Sequence, residues 1–230
     1  MGSILDDIDV QLESGDEALK YIIMQFIQDN YDFYTVDEMY LIHMILKNPV
    51  SISDNPNKDG KYEVLSVYNV SVVNLEIEHL TNGLFVWKST KCFDCSNCKS
   101  LKSLEGAPKE IKFDFDCSRC NSLKSLKGAP KEVGGNFSCS FCYSLESLKG
   151  CPEKVGGNFS CSHCHSLTSL KGVPEKVEGY FNCSYCQNLK SLEGSPRKVN
   201  AEFCCYRCED NFTRDDVKAV CNIAKEKIYC

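Results

Sequence analysis

The feature that most constrains this chain is a 22-residue repeat that runs without insertion from Phe93 to Glu202. Its five units read FDCSNCKSLKSLEGAPKEIKFD, FDCSRCNSLKSLKGAPKEVGGN, FSCSFCYSLESLKGCPEKVGGN, FSCSHCHSLTSLKGVPEKVEGY and FNCSYCQNLKSLEGSPRKVNAE, and a broken sixth opens at Phe203 with FCCYRC. The shared frame is F-x-C-S-x-C-x-(S/N)-L-x-S-L-x-G-x-P-x-x-(I/V). A unit this short cannot bury its own apolar edge, so it must stack on copies of itself.

Each part of the frame has a physical reading. Phe137 and Cys139 are two apart and point to one face of a short strand. Cys142, Leu145 and Leu148 follow at spacings of three, where the chain turns away. Gly150 permits a bend, Pro152 fixes φ in the returning arc, and Val155 closes the coil on its apolar side. Stacked coils set parallel strands about 4.8 Å apart, so six coils make a sheet roughly 25–30 Å long. The expected fold is a repeat solenoid, leucine-rich-repeat-like, with short parallel β-strands and irregular returning arcs lined by ladders of Phe, Cys, Leu and Val.

The twelve residues Phe137 to Leu148 resemble a leucine-rich repeat of the cysteine type, L-x-L-x-x-C-x-x-L-x-x-L, with Phe for the first Leu and Cys for the second. The resemblance implies that Cys98, Cys120, Cys142, Cys164, Cys186 and Cys208 lie buried at the strand ends, where their polar atoms serve backbone groups of the turn. The phrase SLEGAP-KE-V-GG-F-C more narrowly resembles repeat proteins encoded by large tailed bacteriophages and some bacteria, over about residues 62–208. One departure is the spacing from Val155 to Phe159, four residues rather than three. The leading expectation is a non-enzymatic, protein-binding repeat protein, for which the resemblance to the phage proteins suggests a host-directed role: a phage-encoded inhibitor of a host bacterial enzyme or defence system, acting in the host cytoplasm.

The flanks read as caps for the open ends of the stack. Residues 1–60 form an acidic helical region. Capping boxes at Ser14–Glu17 and Thr35–Glu38 open helices through Leu19–Ile27 and Met39–Leu46. Residues 61–92 read as degenerate capping coils, residues 93–208 as the six-unit solenoid and residues 209–230 as a C-terminal cap, where Thr213 starts a short helix and Ile228-Tyr229 adds a strand.

Composition is ordinary except for 17 cysteines in 230 residues. No run approaches the ~18 apolar residues of a membrane helix. The N-terminus has neither a basic leader nor an apolar signal core, so a reduced, cytoplasmic protein away from membranes is expected. Six C-x-x-C pairs, from Cys95/Cys98 to Cys205/Cys208, raise zinc or disulfides as alternatives. Both are disfavoured, because one pair per coil makes straight ladders whose side chains run side by side rather than converge. Buried thiols behave as small hydrophobes, so the cysteines read as core. Cys161-Ser162-His163-Cys164-His165 is the best local metal candidate, but ligands so close on one strand cannot all face one ion. No metal site and no cofactor is implied. The sequence has no phosphate loop with its Lys, no G-x-S-x-G and no H-E-x-x-H, so the expectation is a protein that is not an enzyme. About 20 residues follow the repeats, too few for the ubiquitin-ligase domain of some leucine-rich effectors.

The frame sets the fold, so the positions that vary are candidates for recognition. Stacking brings Phe141, Tyr143, His163, His165, Tyr180 and Tyr185 to one surface, with Arg119 and Arg207 at its border. Aromatic residues bordered by Arg are the composition of protein-binding hot spots. The same composition could stack single-stranded bases, making a nucleic-acid module the second alternative. Residues 93–208 carry 16 Lys and Arg against 12 Asp and Glu, too mild a charge to favour that. Residues 1–92 carry 6 against 15, with an acidic run at Asp6, Asp7, Asp9, Glu13, Asp16 and Glu17 that suits either a solvated face or a basic partner.

Overall fold

The computed structural model describes residues 50–52, 58–66, 69–80, 85–209 and 211–230. The two helices and the acidic run expected before residue 50 lie outside the described residues.

The described chain is a parallel β-solenoid of stacked 22-residue coils, and each coil contributes two short strands rather than one. The valine sheet runs β1 (Val50–Ile52), β2 (Tyr62–Ser66), β4 (Phe85–Thr90), β6 (Glu110–Ile111), β8 (Glu132–Val133), β10 (Lys154–Val155), β12 (Lys176–Val177) and β14 (Lys198–Val199). The phenylalanine sheet runs β3 (Val70–Ser71), β5 (Phe93–Asp94), β7 (Phe115–Asp116), β9 (Phe137–Ser138), β11 (Phe159–Ser160), β13 (Phe181–Asn182), β15 (Phe203–Cys204) and β16 (Ile228–Tyr229). All pairings are parallel except β1 with β2. The second strand of each coil falls in the returning arc, just before the four-residue step that departs from the leucine-rich pattern.

Uniform period makes the registers identical. Phe137 pairs with Phe159 and Phe159 with Phe181, so like residues stack directly. Six Phe side chains, Phe93 to Phe203, are fully buried, and the first five stack with centroids 5.3–5.9 Å apart. Both Leu rows and the Val row complete the core. Burying each such side chain is worth about 1.5–3 kcal/mol, and the stack repeats that gain coil after coil.

The bend after the second Leu shows why the frame needs glycine. Gly150 has φ +89°, and a Cβ there would stand 2.7 Å from the Leu126 carbonyl oxygen of the coil below.

All 17 cysteines are unpaired thiols, and the twelve of the frame are buried. From Cys120 on, the second thiol of each pair donates to the carbonyl of the first cysteine one coil earlier, as in Cys142 to Cys117, Cys164 to Cys139 and Cys186 to Cys161, each at 3.2 Å; Cys98 donates to the Val72 carbonyl at the equivalent place. A carbonyl that the short strand leaves over is thereby satisfied. Burial pushes the thiols of Cys117, Cys142 and Cys183 well above their ordinary pKa. Among the described residues no group of three potential ligands is placed to hold a metal ion.

At the N-terminal side Val70, Val72 and Asn74 stand where later coils carry Phe, the first Cys and the residue before the second Cys. At the other end Thr213 closes a capping box with Asp216 and starts α1 (Arg214–Val220), which buries Val217. The chain then returns so that Ile228 pairs with Phe203 and takes the Phe position. Among the described residues no helix is long and apolar enough to cross a membrane.

Candidate partner-binding surface

The row between Ser and the second Cys is structurally unusual. Asn97, Arg119, Phe141, His163, Tyr185 and Arg207 all have φ between +55° and +60°, the left-handed region. The cause is the tight turn that leads out of the phenylalanine sheet. Its backbone N–H groups continue the ladder: that of Phe141 donates to Ser162 at 2.8 Å, and that of His163 to Ser184 at 2.9 Å. Asn tolerates this conformation, and Asn74 and Asn97 occupy it in the first two coils. Arg, Phe, His and Tyr do not favour it, at a cost of about 1–2 kcal/mol each.

Left-handed geometry sends these side chains outward as a ridge. Phe141 stacks on His163, and His163 on Tyr185, with centroids 4.2 Å apart in both cases and planes within 15°. The Arg119 guanidinium lies 4.7 Å from the Phe141 centroid and that of Arg207 lies 5.5 Å from the Tyr185 centroid. The order along the ridge is therefore Arg, Phe, His, Tyr, Arg. Ahead of it, the Asn97 amide donates to the Asn74 side-chain oxygen. Four such contacts return about 2–6 kcal/mol against about 5–10 kcal/mol of conformational cost over five residues, so stacking offsets roughly half of it.

The other candidates divide. Tyr143 and His165 form a second stack at 5.0 Å beside the first, and the two histidine rings lie 6.4 Å apart. Tyr180 does not join them. It ends a different ladder, before the strand, in which the N–H groups of Asn136, Asn158 and Tyr180 donate to the side-chain oxygens of Asp114, Asn136 and Asn158 at 2.6–2.9 Å. Its ring makes no ring contact among the described residues.

Desolvation between its neighbours, helped by His165, holds His163 below the usual histidine pKa. Its Nδ1 is buried and has no hydrogen-bond partner among the described residues. The ridge is therefore uncharged between its two arginines at neutral pH.

Sequence reasoning missed two parts of this surface. Tyr206 breaks the Ser row and meets Tyr185 edge-on at 5.3 Å. Beyond it the ridge opens into a cleft of about 710 Å³, lined by Tyr206, Phe212, Arg214 and Tyr229 together with Glu202 and Cys204. Arg214 is held there by a 3.2 Å bond from Nε to the Ile228 carbonyl. The signal available for the left-handed row was Asn97 and Asn74; the cleft comes from the helix returning over the last coil, which has no counterpart in the repeat. In comparison with known proteins, no family model, no curated protein and no solved structure matches this chain.

Proposed function

We propose that this chain is a non-enzymatic recognition protein and that the ridge from Arg119 to Arg207 is its contact surface for another protein. The observation that carries this reading is the left-handed row. Five bulky side chains occupy positions where Asn or Gly would cost the fold less. Backbone strain that its own packing only half offsets belongs to sites that hold side chains out for another molecule.

A protein suits this surface better than a nucleic acid. Bases stack on free aromatic faces. Here each ring covers the next, and the two arginines cover the ends, so the ridge presents ring edges, a hydroxyl and guanidinium groups. The likeness of the frame to repeat proteins of tailed bacteriophages makes a bacterial host protein the partner to seek first, and inhibition of that protein the activity to assay. Replacing Phe141, His163 and Tyr185 together with Asn keeps the backbone conformation and removes the rings. Pull-down from bacterial lysate with wild type and this variant should recover a partner only with wild type, at similar melting temperatures. Equal recovery by both would sink the assignment.

A further inference from the structure

The arginines give the ridge a more specific partner. The chain has four, Arg119, Arg197, Arg207 and Arg214. Arg197 lies on the valine-sheet side, 3.9 Å from Glu175. The other three lie along the ridge and its cleft, and none forms an ion pair among the described residues. Glu202 also lines the cleft, yet it is not paired with Arg214. On the opposite side several charges are paired from coil to coil, as in Lys127–Glu105 at 2.8 Å and Lys154–Glu132 at 2.6 Å, and the one arginine there, Arg197, faces a carboxylate. Guanidinium forks left open beside half-buried aromatic rings suit carboxylates, which they bind with two parallel hydrogen bonds.

Resting on the reading above, we infer that the ridge and cleft take an acidic polypeptide segment: carboxylates at both ends, meeting Arg119 at one and Arg207 with Arg214 at the other, around an uncharged centre. Spacing decides for a polypeptide. Arg119 and Arg207 are four coils apart, about 19 Å at the strand spacing. An extended segment covers this in about six residues, and a helix in about thirteen. The ridge between them carries Phe141, His163 and Tyr185, flanked by Tyr143, His165 and Gln187, with no Lys, Arg, Asp or Glu among them. A polypeptide can place its acids at the two ends and leave the middle neutral. A nucleic-acid strand cannot, because its phosphates recur every few ångströms and would lie unpaired along the centre.

The test is selection of a displayed random 16-residue peptide library on the full chain, followed by titration of a synthetic representative. Enriched peptides should carry Asp or Glu on both sides of an uncharged centre. Affinity should fall at least tenfold with Arg119→Gln and with Arg207→Gln, less with Arg119→Lys, and should weaken with added salt. Melting temperatures confirm that each variant is folded. Neutral or basic peptides that lose binding with the triple Asn variant would overturn the acidic partner and leave the protein-binding ridge standing. Peptides indifferent to both sets of variants, or no enrichment while a dT oligonucleotide binds with salt dependence, would overturn both. No enrichment and no oligonucleotide binding would also count against both.

Discussion

The two sides of each coil are built from one 22-residue frame and stack at one spacing, yet they handle charge and strain in opposite ways. On the valine-sheet side the left-handed positions are all glycine, Gly106 to Gly194, and exposed charges pair between coils, as in Lys171–Glu193 at 2.9 Å. On the ridge side the left-handed positions carry Arg, Phe, His and Tyr, and the arginines stack on rings instead of meeting carboxylates. The valine-sheet side is what folding requires. The ridge side departs from it at a cost, and that departure separates a candidate contact surface from a merely solvated one.

The largest expected effect strikes both sides at once, through the thiols they share. Burial raises the pKa of Cys117, Cys142 and Cys183 well above the usual value, and that of Cys98 to about 12. A folded-state pKa above the unfolded value means stability that is complete below about pH 8.5 and lost as pH rises, because only the unfolded chain releases these protons. Each thiol contributes a slope of about 1.4 kcal/mol per pH unit above that point. Several acting together should unfold the solenoid near pH 10. Thermal melts between pH 7 and 10.5 should show a steep fall in melting temperature above pH 8.5. A flat profile would mean that the thiols ionise in place, and the buried ladder would be wrong.

A smaller effect tests the contrast directly, because both sides have a left-handed row. Gly150→Ala puts a side chain at φ +89° and 2.7 Å from a carbonyl oxygen, so it should cost about 2 kcal/mol or more. Arg119→Asn relieves about 1–2 kcal/mol of strain and loses one cation–π contact of about 0.5–1 kcal/mol. Its stability in urea should stay level or rise by about 1 kcal/mol, while capture of the partner fails. If Arg119→Asn instead destabilises by more than about 1 kcal/mol, the stack is a structural brace and the recognition reading loses its main support.

These two rows also mark how far the sequence could be read. The solenoid, its Phe and Leu ladders and the buried second cysteine follow from period and spacing, because an uninterrupted repeat forces like residues into register. Gly150 betrays its backbone geometry by its identity. Phe141, His163 and Tyr185 do not, because nothing in those residue types signals a left-handed φ; only Asn97 and Asn74 hint at it. Their grouping with Tyr143 and His165 follows from adjacent rows. Tyr180 makes no ring contact with them, because the strand lies between its row and theirs. The second strand of each coil was hidden for a simpler reason: two residues, one charged and one Val, are too few to show alternation.

The smallest effect belongs to the valine-sheet side and fixes the direction of the comparison. Lys154 and Glu132 form a 2.6 Å pair whose side chains are 72% and 58% exposed. Pairs this open contribute little to stability and are screened by salt. Lys154→Met should therefore leave the melting temperature close to that of wild type and leave capture of the partner unchanged. Removing Arg119, by contrast, deletes a cation that no carboxylate of the described residues neutralises, and the ridge loses one of its two charged ends. Measured side by side, the two variants should differ little in melting temperature and at least tenfold in affinity. The reverse order of affinities, with Lys154→Met the more damaging, would move the contact surface to the valine sheet, because coil-to-coil ion pairs would then be opening to meet the partner.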